Sequence, residues 1–308
     1  MTKPTGVLLM AYGGPNSLSD VEPYLLDVRG GRPTAPDLVE EVRQRYARIG
    51  GRSPLLELTR RQADALQEAL GDEYRVYVGM RHWHPYIRET MAQIAADGIA
   101  QLIAIVMAPH YSKLSIGAYM RKLREARDAL APALRLCEVL SWKTHPLFLD
   151  ALAAKTNAAL QQFSRDERAE VEIIFSAHSL PERILQENDP YPQELQDTVA
   201  GVVQRVGAVR HQFAFQSAGS TREKWLGPDV GAVIDELVTR GKRHILVQPV
   251  GFVCDHVEIL YDVDIVYKQQ AERLGAHLER AQSLNDSPQL IAALADIVMK
   301  HAQPDGHP

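Results

Sequence analysis

The stretch VEIIFSAHSLPER, residues 171–183, begins as a continuous apolar run and ends at a histidine among small residues. Such a run has the length and composition of a strand that is buried on both faces of a sheet. Ser179 and Glu182 have the Ser-x-x-Glu spacing of a capping box, which predicts a helix that begins directly after His178. The segment therefore predicts a strand that holds an imidazole at its carboxyl end.

Seven more apolar runs of strand length are distributed along the chain, at residues 6–12, 74–80, 101–109, 134–140, 212–217, 244–252 and 277–284. Stretches of helical period separate them, at 36–48, 57–70, 85–97, 114–130, 146–164, 190–206, 228–241 and 255–273, and a last helix is predicted at 287–302. Strands that alternate with helices in this way indicate an α/β fold in which helices cover both faces of parallel sheets.

We predict two doubly wound α/β domains, each with a four-stranded parallel sheet. The first covers residues 1–145 and the second 146–308, and the last helix is free to pack back on the first domain. Eight strand–helix pairs also fit a (β/α)8 barrel. The gap of about 60 residues between the first two strands and the long helix at 146–164 favour two domains instead.

Composition argues against several classes of partner. The 308 residues are 45% hydrophobic and carry a net charge of -5, so neither nucleic acid nor an anionic membrane is expected to bind. No apolar run approaches the ~20 residues of a membrane-spanning helix. We therefore expect no integral membrane segment, a cytoplasmic location and, because neither repeats nor a coiled-coil pattern occur, a monomer.

The two cysteines, Cys137 and Cys254, are expected to be small buried side chains. Two thiolates are too few for an iron–sulfur cluster that needs four. No strand exit carries a glycine pattern typical of dinucleotide or P-loop binding. We therefore predict no iron–sulfur cluster and no tightly bound cofactor.

Ligands of open α/β sheets bind outside the carboxyl ends of the strands. His178 lies at one such end, and PVGFVCDHVEILYD, residues 249–262, places Glu258 at the start of a helix after another. An imidazole and a carboxylate form either a weak, open site for a divalent metal or an acid–base pair. The alternative is a structural histidine and a solvated acidic face formed by Glu258 and Asp262.

The first half of the chain has similar candidates. Tyr12 ends the first strand, and Gly13 and Gly14 after it permit close backbone approach to a ligand. His82 and His84 in RHWHP are two apart on a strand-like segment, so we expect both to face the same side. Surface histidines with no further role are the alternative.

Taken together, five segments resemble the ferrochelatase family in order along nearly the whole chain: MAYGGP, RYARIGGRSPL, FSAHSLPER, QSAGSTREKWLGPDV and PVGFVCDHVEILYD. The resemblance implies two Rossmann-like domains with a cleft between them, and an enzyme that inserts Fe²⁺ into a porphyrin. It implies that His178 and Glu258 are the catalytic and iron-binding pair, and that Tyr12 is the axial ligand of the product iron.

The resemblance is greatest to the short enzymes that convert coproporphyrin III to Fe-coproporphyrin III (coproheme) in heme biosynthesis. In that branch the porphyrin-contact positions correspond to Tyr12, Arg29, Arg45, Tyr46, Ser53, His82 and Tyr119. The alternatives are a protoporphyrin IX ferrochelatase, a non-catalytic heme- or tetrapyrrole-binding protein, and a cobalt or nickel chelatase of the same fold. The family often continues the acidic row of Glu258 and Asp262 at the position of Val266, and valine cannot bind a cation there.

Overall fold

The computed structural model describes residues 4–302 apart from 220 and 222, two positions that fall within the quoted QSAGSTREKWLGPDV segment. The chain divides into two compact units. The first unit contains the described residues of 1–142 and 285–308, and the second contains residues 143–284. Each unit has one four-stranded sheet in which all neighbouring strands are parallel.

The sheet of the first unit has the strand order β2-β1-β3-β4. Its strands are β1 (Thr5–Ala11), β2 (Tyr74–Met80), β3 (Gln101–Val106) and β4 (Arg135–Val139). Four consecutive residues of β1, Val7, Leu8, Leu9 and Met10, are fully buried. Burial of consecutive residues means that both faces of the sheet are covered, which explains the continuous apolar runs in the sequence.

Five helices lie between these strands: α1 (Val21–Val28), α2 (Pro36–Arg48), α3 (Leu55–Leu70), α4 (Ile87–Ala96) and α5 (Ile116–Leu130). A short 3₁₀ turn, Leu18–Asp20, precedes α1. The sequence analysis missed α1, because Pro23 suggests a break. The proline lies in the first turn of the helix, where backbone N–H groups have no acceptor within the helix. Its missing N–H therefore removes no helical hydrogen bond.

The second unit has the strand order β6-β5-β7-β8. Its strands are β5 (Glu172–His178), β6 (Arg210–Gln216), β7 (His244–Pro249) and β8 (His277–Arg280). Its helices are α6 (Pro146–Leu160), α7 (Arg165–Arg168), α8 (Arg183–Gln186), α9 (Tyr191–Val206) and α10 (Val230–Thr239), followed by a π-helix, Glu258–Tyr267, that continues as α11 (Lys268–Arg273).

The last helix, α12 (Pro288–Ala302), packs against α3 and β3 of the first unit. The Gln62 amide of α3 donates to the Asn285 carbonyl at 2.8 Å, and Arg61 lies 3.1 Å from the Asp286 carboxylate. The predicted second domain, 146–308, ended with this helix but left it free to pack back on the first domain; in the structure α12 belongs to the first unit. Periodicity identified the helix but carries no information about which sheet covers its apolar side.

Within the described residues, no helix combines the length and the apolar character that crossing a bilayer requires. The helices instead cover the two sheets with one apolar side each. In the second unit, for example, Ile259 and Val263 of the π-helix and Ile234 of α10 pack against Ile245 and Val247 of β7.

The exits of β5 and β7 touch each other through very small residues. A Cβ atom added to Gly251 would lie 2.6 Å from the Cβ of Ala177 and 3.1 Å from its Cα. Contacts that short do not occur between real Cβ atoms, so only glycine fits at residue 251.

We expect Gly251→Ala to lower the free energy of unfolding by about 1–3 kcal/mol, the usual cost of overpacking a tight core. The double variant Gly251→Ala/Ala177→Gly removes the closest clashing atom and should recover most of that loss. Urea denaturation of both variants measures the difference. A single variant as stable as the unchanged protein would contradict this account.

Candidate active site

The His178 ring lies at the carboxyl end of β5, a strand flanked on both sides by β6 and β7. Its backbone carbonyl accepts a hydrogen bond from the Tyr191 hydroxyl at 2.9 Å. Its Nδ1 donates to the carbonyl of Ser179. These two contacts fix the backbone and the ring orientation, so Nε2 is the nitrogen that remains for chemistry.

The capping box predicted at Ser179 and Glu182 is wrong. The next helix, α8, begins only at Arg183, and its first turn has no side-chain cap. The Ser179 hydroxyl instead donates to the Leu226 carbonyl at 2.8 Å. A carbonyl from a distant loop competes successfully for the same hydroxyl, and local spacing does not reveal such a partner.

Glu258 begins the π-helix that follows β7, although the predicted helix began at residue 255. The Oε1 atom of Glu258 lies 3.5 Å from Nε2 of His178. The side chains are 28% and 32% exposed, respectively, so solvent reaches both. The structure therefore brings the two predicted residues together within one unit.

The contact sets the charges of both groups. Partial burial alone would lower the pKa of His178, but the Glu258 carboxylate and its hydrogen bond outweigh burial and raise it to about 9. Burial also disfavours the charged carboxylate, yet His178 and His256 hold the pKa of Glu258 well below its usual range. At neutral pH the pair is an imidazolium beside a carboxylate.

His256 is a neighbour that the sequence analysis did not single out. Its Nε2 lies 3.5 Å from Oε2 of Glu258, and its Nδ1 donates to the Cys254 carbonyl at 3.1 Å. That carboxylate oxygen is buried and has no hydrogen bond among the described residues. His178 and His256 therefore face the two oxygens of the same carboxylate.

The acidic row continues to Asp262 and ends there. The Ser217 hydroxyl donates to Asp262 at 2.5 Å, and Ser217 adopts a left-handed backbone conformation with φ 58°. Such conformations cost energy and concentrate at functional sites. Asp264 forms a bidentate ion pair with Arg280 at 2.6 and 2.9 Å, and Val266 offers no ligand atom. Only two acids of the row are thus available to a cation.

In the first unit, Tyr12 and His82 form a second cluster. Their ring centroids are 4.6 Å apart, and the His82 amide donates to the Tyr12 carbonyl at 2.8 Å. Gly13 between them has φ 93° and approaches Trp83 so closely that a Cβ would lie 2.9 Å from its backbone nitrogen. The Tyr12 side chain is 40% exposed, which leaves its ring open to a ligand.

The two histidines of RHWHP do not face the same side, as we had expected. His82 is buried and its Nδ1 lies 2.9 Å from the Asp27 carboxylate, whereas His84 is 60% exposed and pairs with Glu89. The segment is a bend and not a strand, so the two-residue alternation of side chains does not apply.

The Arg81 guanidinium lies over the rings of Tyr12 and Tyr119, at 5.8 and 5.2 Å from their centroids.

The other predicted porphyrin contacts occupy varied positions. Tyr46 and Ser53 are buried beside Gly14, where an added Cβ would lie 2.6 Å from the Ser53 hydroxyl and 3.5 Å from that of Tyr46. Arg29 is exposed at the end of α1, and Arg45 on α2 lies 2.5 Å from Glu41. The two arginines are therefore near the surface and able to meet an anionic ligand.

Comparison with known proteins bears on what these clusters do. The family model described as Ferrochelatase matches residues 4–302. A ferrochelatase of Herpetosiphon aurantiacus is 45% identical over 302 residues, 97% of this chain and 99% of that protein. The chain belongs to the ferrochelatase family. A coproporphyrin III ferrochelatase of Listeria monocytogenes is also similar, with 39% identity over 304 residues, 97% of this chain and 98% of that protein.

Solved structures agree on the fold. The sirohydrochlorin chelatase SirB from Bacillus subtilis subspecies spizizenii, solved with cobalt, has a TM-score of 0.61 and 9% identity over 99% of this chain and 98% of its own. The predicted fold class is confirmed, since this chelatase shares the two-domain α/β architecture. Family membership confirms that the protein is an enzyme, a metal-chelating lyase of heme biosynthesis, and implies a porphyrin and ferrous iron as substrates.

Burial lowers the pKa of His82 to about 4, even though its hydrogen bond to Asp27 acts in the opposite direction. In the unfolded chain this histidine titrates near its ordinary value of about 6.5. The unfolded state therefore binds more protons between pH 6.5 and 4, and the stability of the fold falls as the pH is lowered through that window.

We expect His82→Asn, which keeps a donor for Asp27, to reduce this acid destabilisation by on the order of 1 kcal/mol per pH unit. Urea denaturation at several pH values between 7 and 4 measures the difference. The matched control is His84→Asn at the exposed neighbouring position, which should behave like the unchanged protein. Parallel curves for His82→Asn and the unchanged protein would contradict the assignment.

Proposed function

We propose that the protein inserts Fe²⁺ into coproporphyrin III and releases Fe-coproporphyrin III (coproheme). The observation that carries the proposal is the His178–Glu258 pair, with its 3.5 Å contact at the end of β5, in a chain of the ferrochelatase family. An imidazole and a carboxylate are a ligand set that Fe²⁺ accepts but does not bind irreversibly. Such a pair suits a metal that must be passed on.

The reaction replaces two pyrrole N–H protons by one Fe²⁺ ion, so two N–H bonds break and two protons leave. His178 holds a proton at neutral pH because its pKa is raised to about 9. It must lose that proton before it can accept another. In the proposed sequence the incoming Fe²⁺ first meets the Glu258 carboxylate, and its positive charge lowers the pKa of His178. His178 thereby gives its proton to water, and the neutral imidazole then takes one pyrrole proton or binds the ion as it moves to the ring. Water takes the pyrrole protons that His178 does not accept.

Glu258 and Asp262 contribute negative charge to this step. The Oε2 atom of Glu258, buried and without a hydrogen bond in the described chain, is a natural first contact for the cation. Asp262, on the same row, adds a second negative group near the path. We propose that the pair and Asp262 remove part of the hydration shell of the ion before transfer.

Tyr12 is the proposed axial ligand of iron in the product. Its phenol oxygen is a suitable donor for iron, and its ring is oriented by His82 and Arg81. His82, Tyr46, Ser53 and Tyr119 are proposed to shape the porphyrin-binding surface around it.

The choice of coproporphyrin III over protoporphyrin IX follows from charge. Coproporphyrin carries four carboxylates, and Arg29 and Arg45 are surface cations that would bind them through charge-assisted hydrogen bonds. The named activity of the Listeria monocytogenes relative supports the same choice. We further propose a monomer without a tightly bound cofactor. A cytoplasmic location is proposed as well, consistent with the free thiols of Cys137 and Cys254.

His178→Ala should lower the rate of iron insertion by at least about 100-fold, the usual contribution of a general base, while porphyrin binding stays close to normal. Glu258→Gln, which keeps the shape and removes the charge, should have a similar effect. Anaerobic assays with Fe²⁺ follow the product by absorbance, and porphyrin fluorescence quenching measures binding. Near-normal turnover in either variant would remove that residue from the mechanism.

The substrate assignment is tested by assaying coproporphyrin III and protoporphyrin IX side by side. We expect a higher kcat/KM for coproporphyrin III. Arg29→Gln and Arg45→Gln should each raise KM for that substrate by about 3- to 10-fold, as exposed charge-assisted contacts suggest, with a smaller change for protoporphyrin IX. Arg88→Gln, an exposed arginine on α4, is the matched control.

Turnover of protoporphyrin IX alone would overturn the substrate choice and leave the iron-insertion step intact. Tight porphyrin or heme binding without any metal insertion would instead favour the non-catalytic carrier.

A further inference from the structure

Two histidines lie side by side at the opposite end of the second sheet from His178. His244 is the first residue of β7 and His277 the first residue of β8, and the two are paired directly in the parallel register. Paired residues of neighbouring parallel strands project from the same face and lie about 4.8 Å apart. The two imidazoles are therefore held next to each other by the backbone itself.

Glu167 of α7 completes a cluster of three. Its Oε1 lies 3.8 Å from Nδ1 of His244, and one ligand atom from each of the three residues lies within 4.8 Å of the others. The Oε2 atom of Glu167 accepts from the Ser164 amide at 2.7 Å in a capping box. That hydrogen bond holds the Glu167 carboxylate in place. Its second oxygen therefore faces the histidines without any change of the side-chain conformation.

The Nδ1 atom of His244 supplies a second, independent observation. It is buried, and it has no hydrogen bond within the part of the chain that the structure describes. A buried polar atom without a partner is costly, typically by about 1–3 kcal/mol. A cation shared with Glu167 would give this nitrogen the partner that it lacks.

The surroundings resemble those of a ligating histidine. Nε2 of His277 lies 2.8 Å from the carboxylate of Glu279, two residues along β8. Metal-binding histidines usually pair with such a carboxylate, which orients the ring and makes it a stronger ligand. The Phe163 ring packs against both histidines, with centroid distances of 6.3 and 4.9 Å, and restricts their movement.

We propose that Glu167, His244 and His277 form a binding site for a divalent transition metal of the zinc class. Two imidazoles and one carboxylate form a ligand set that Zn²⁺ commonly takes, with a fourth position open to water. Imidazole ligands favour zinc, cobalt or nickel over Mg²⁺ and Ca²⁺. A bound ion would link α7 to the first residues of β7 and β8.

This site is separate from the iron-handling pair. β7 extends from His244 to Pro249, five steps of about 3.3 Å each, so the cluster lies roughly 17 Å from the strand exits where His178 and Glu258 meet. The ion proposed here is bound by the fold and is not a substrate, so the Zn²⁺-loaded protein would be an exception to the absence of a bound cofactor proposed above.

The test is isothermal titration of the full-length protein with Zn²⁺ alone, in the His178→Ala/Glu258→Gln background that removes the iron-handling pair. We expect one equivalent of Zn²⁺ to bind. Adding His277→Ala, at an exposed position, should weaken binding by at least about 10-fold, and Glu279→Gln by about 10- to 100-fold, the usual effect of losing an outer carboxylate partner.

Glu170→Gln is the matched control, since this carboxylate lies near the cluster but pairs with Arg210 and Lys242. It should leave Zn²⁺ affinity unchanged. Melting curves without metal establish that each variant folds, and Zn²⁺ should raise the melting temperature of the background protein but not of its His277→Ala derivative. Absence of Zn²⁺ binding in the background, or equal affinity in the His277→Ala derivative, would overturn the proposal. Iron insertion is not measured in this test, so its outcome is independent of the proposed function.

Discussion

One buried amide, that of Gln216, holds the candidate active site together. Its oxygen accepts from the Ser176 hydroxyl of β5 at 2.8 Å, and its nitrogen donates to the Glu258 carbonyl at 2.9 Å. Gln216 ends β6 and its side chain is fully buried, so leaving either end of the amide without a hydrogen bond would be costly. Three segments that are distant in sequence therefore meet at a fixed point, and the His178–Glu258 distance depends on it.

Opposite charges meet close to that point, on His178 and Glu258. The imidazolium and the carboxylate stabilise each other, yet one carboxylate oxygen and the nearby His256 nitrogen lie 3.5 Å apart without a hydrogen bond. The pair is thus held by mutual attraction, and Oε2 of Glu258 keeps the capacity to accept one more contact. A separate cluster belongs to the first unit, where the Tyr12 ring contacts the His82 ring and the Arg81 guanidinium lies over two tyrosine rings.

Sequence reasoning predicted the eight strands well, because buried parallel strands are continuous apolar runs with few alternatives. It also placed His178 and Glu258 at exits of one sheet, since the rule for parallel sheets needs only the strand ends. It failed where the outcome depended on a distant partner. The Ser179 hydroxyl found the Leu226 carbonyl instead of a helix cap. Gln216 and Ser217 are polar residues at the end of an apolar run, which marks a strand exit. Their hydrogen-bond partners, Ser176, Glu258 and Asp262, could not be inferred from spacing. For α12, periodicity identified the helix and left open which sheet it packs against.

The π-helix has a consequence for how this chain can change over evolutionary time. Its buried residues Ile259, Val263 and Tyr267 recur at every fourth position, so one side of the helix anchors it to the core of the second unit. Deleting one residue from the middle of this segment would allow ordinary α-helical turns. It would also rotate Glu258 by about 100° relative to the apolar side that anchors the helix. Substitutions here are local in effect, whereas a single insertion or deletion would move the carboxylate away from His178.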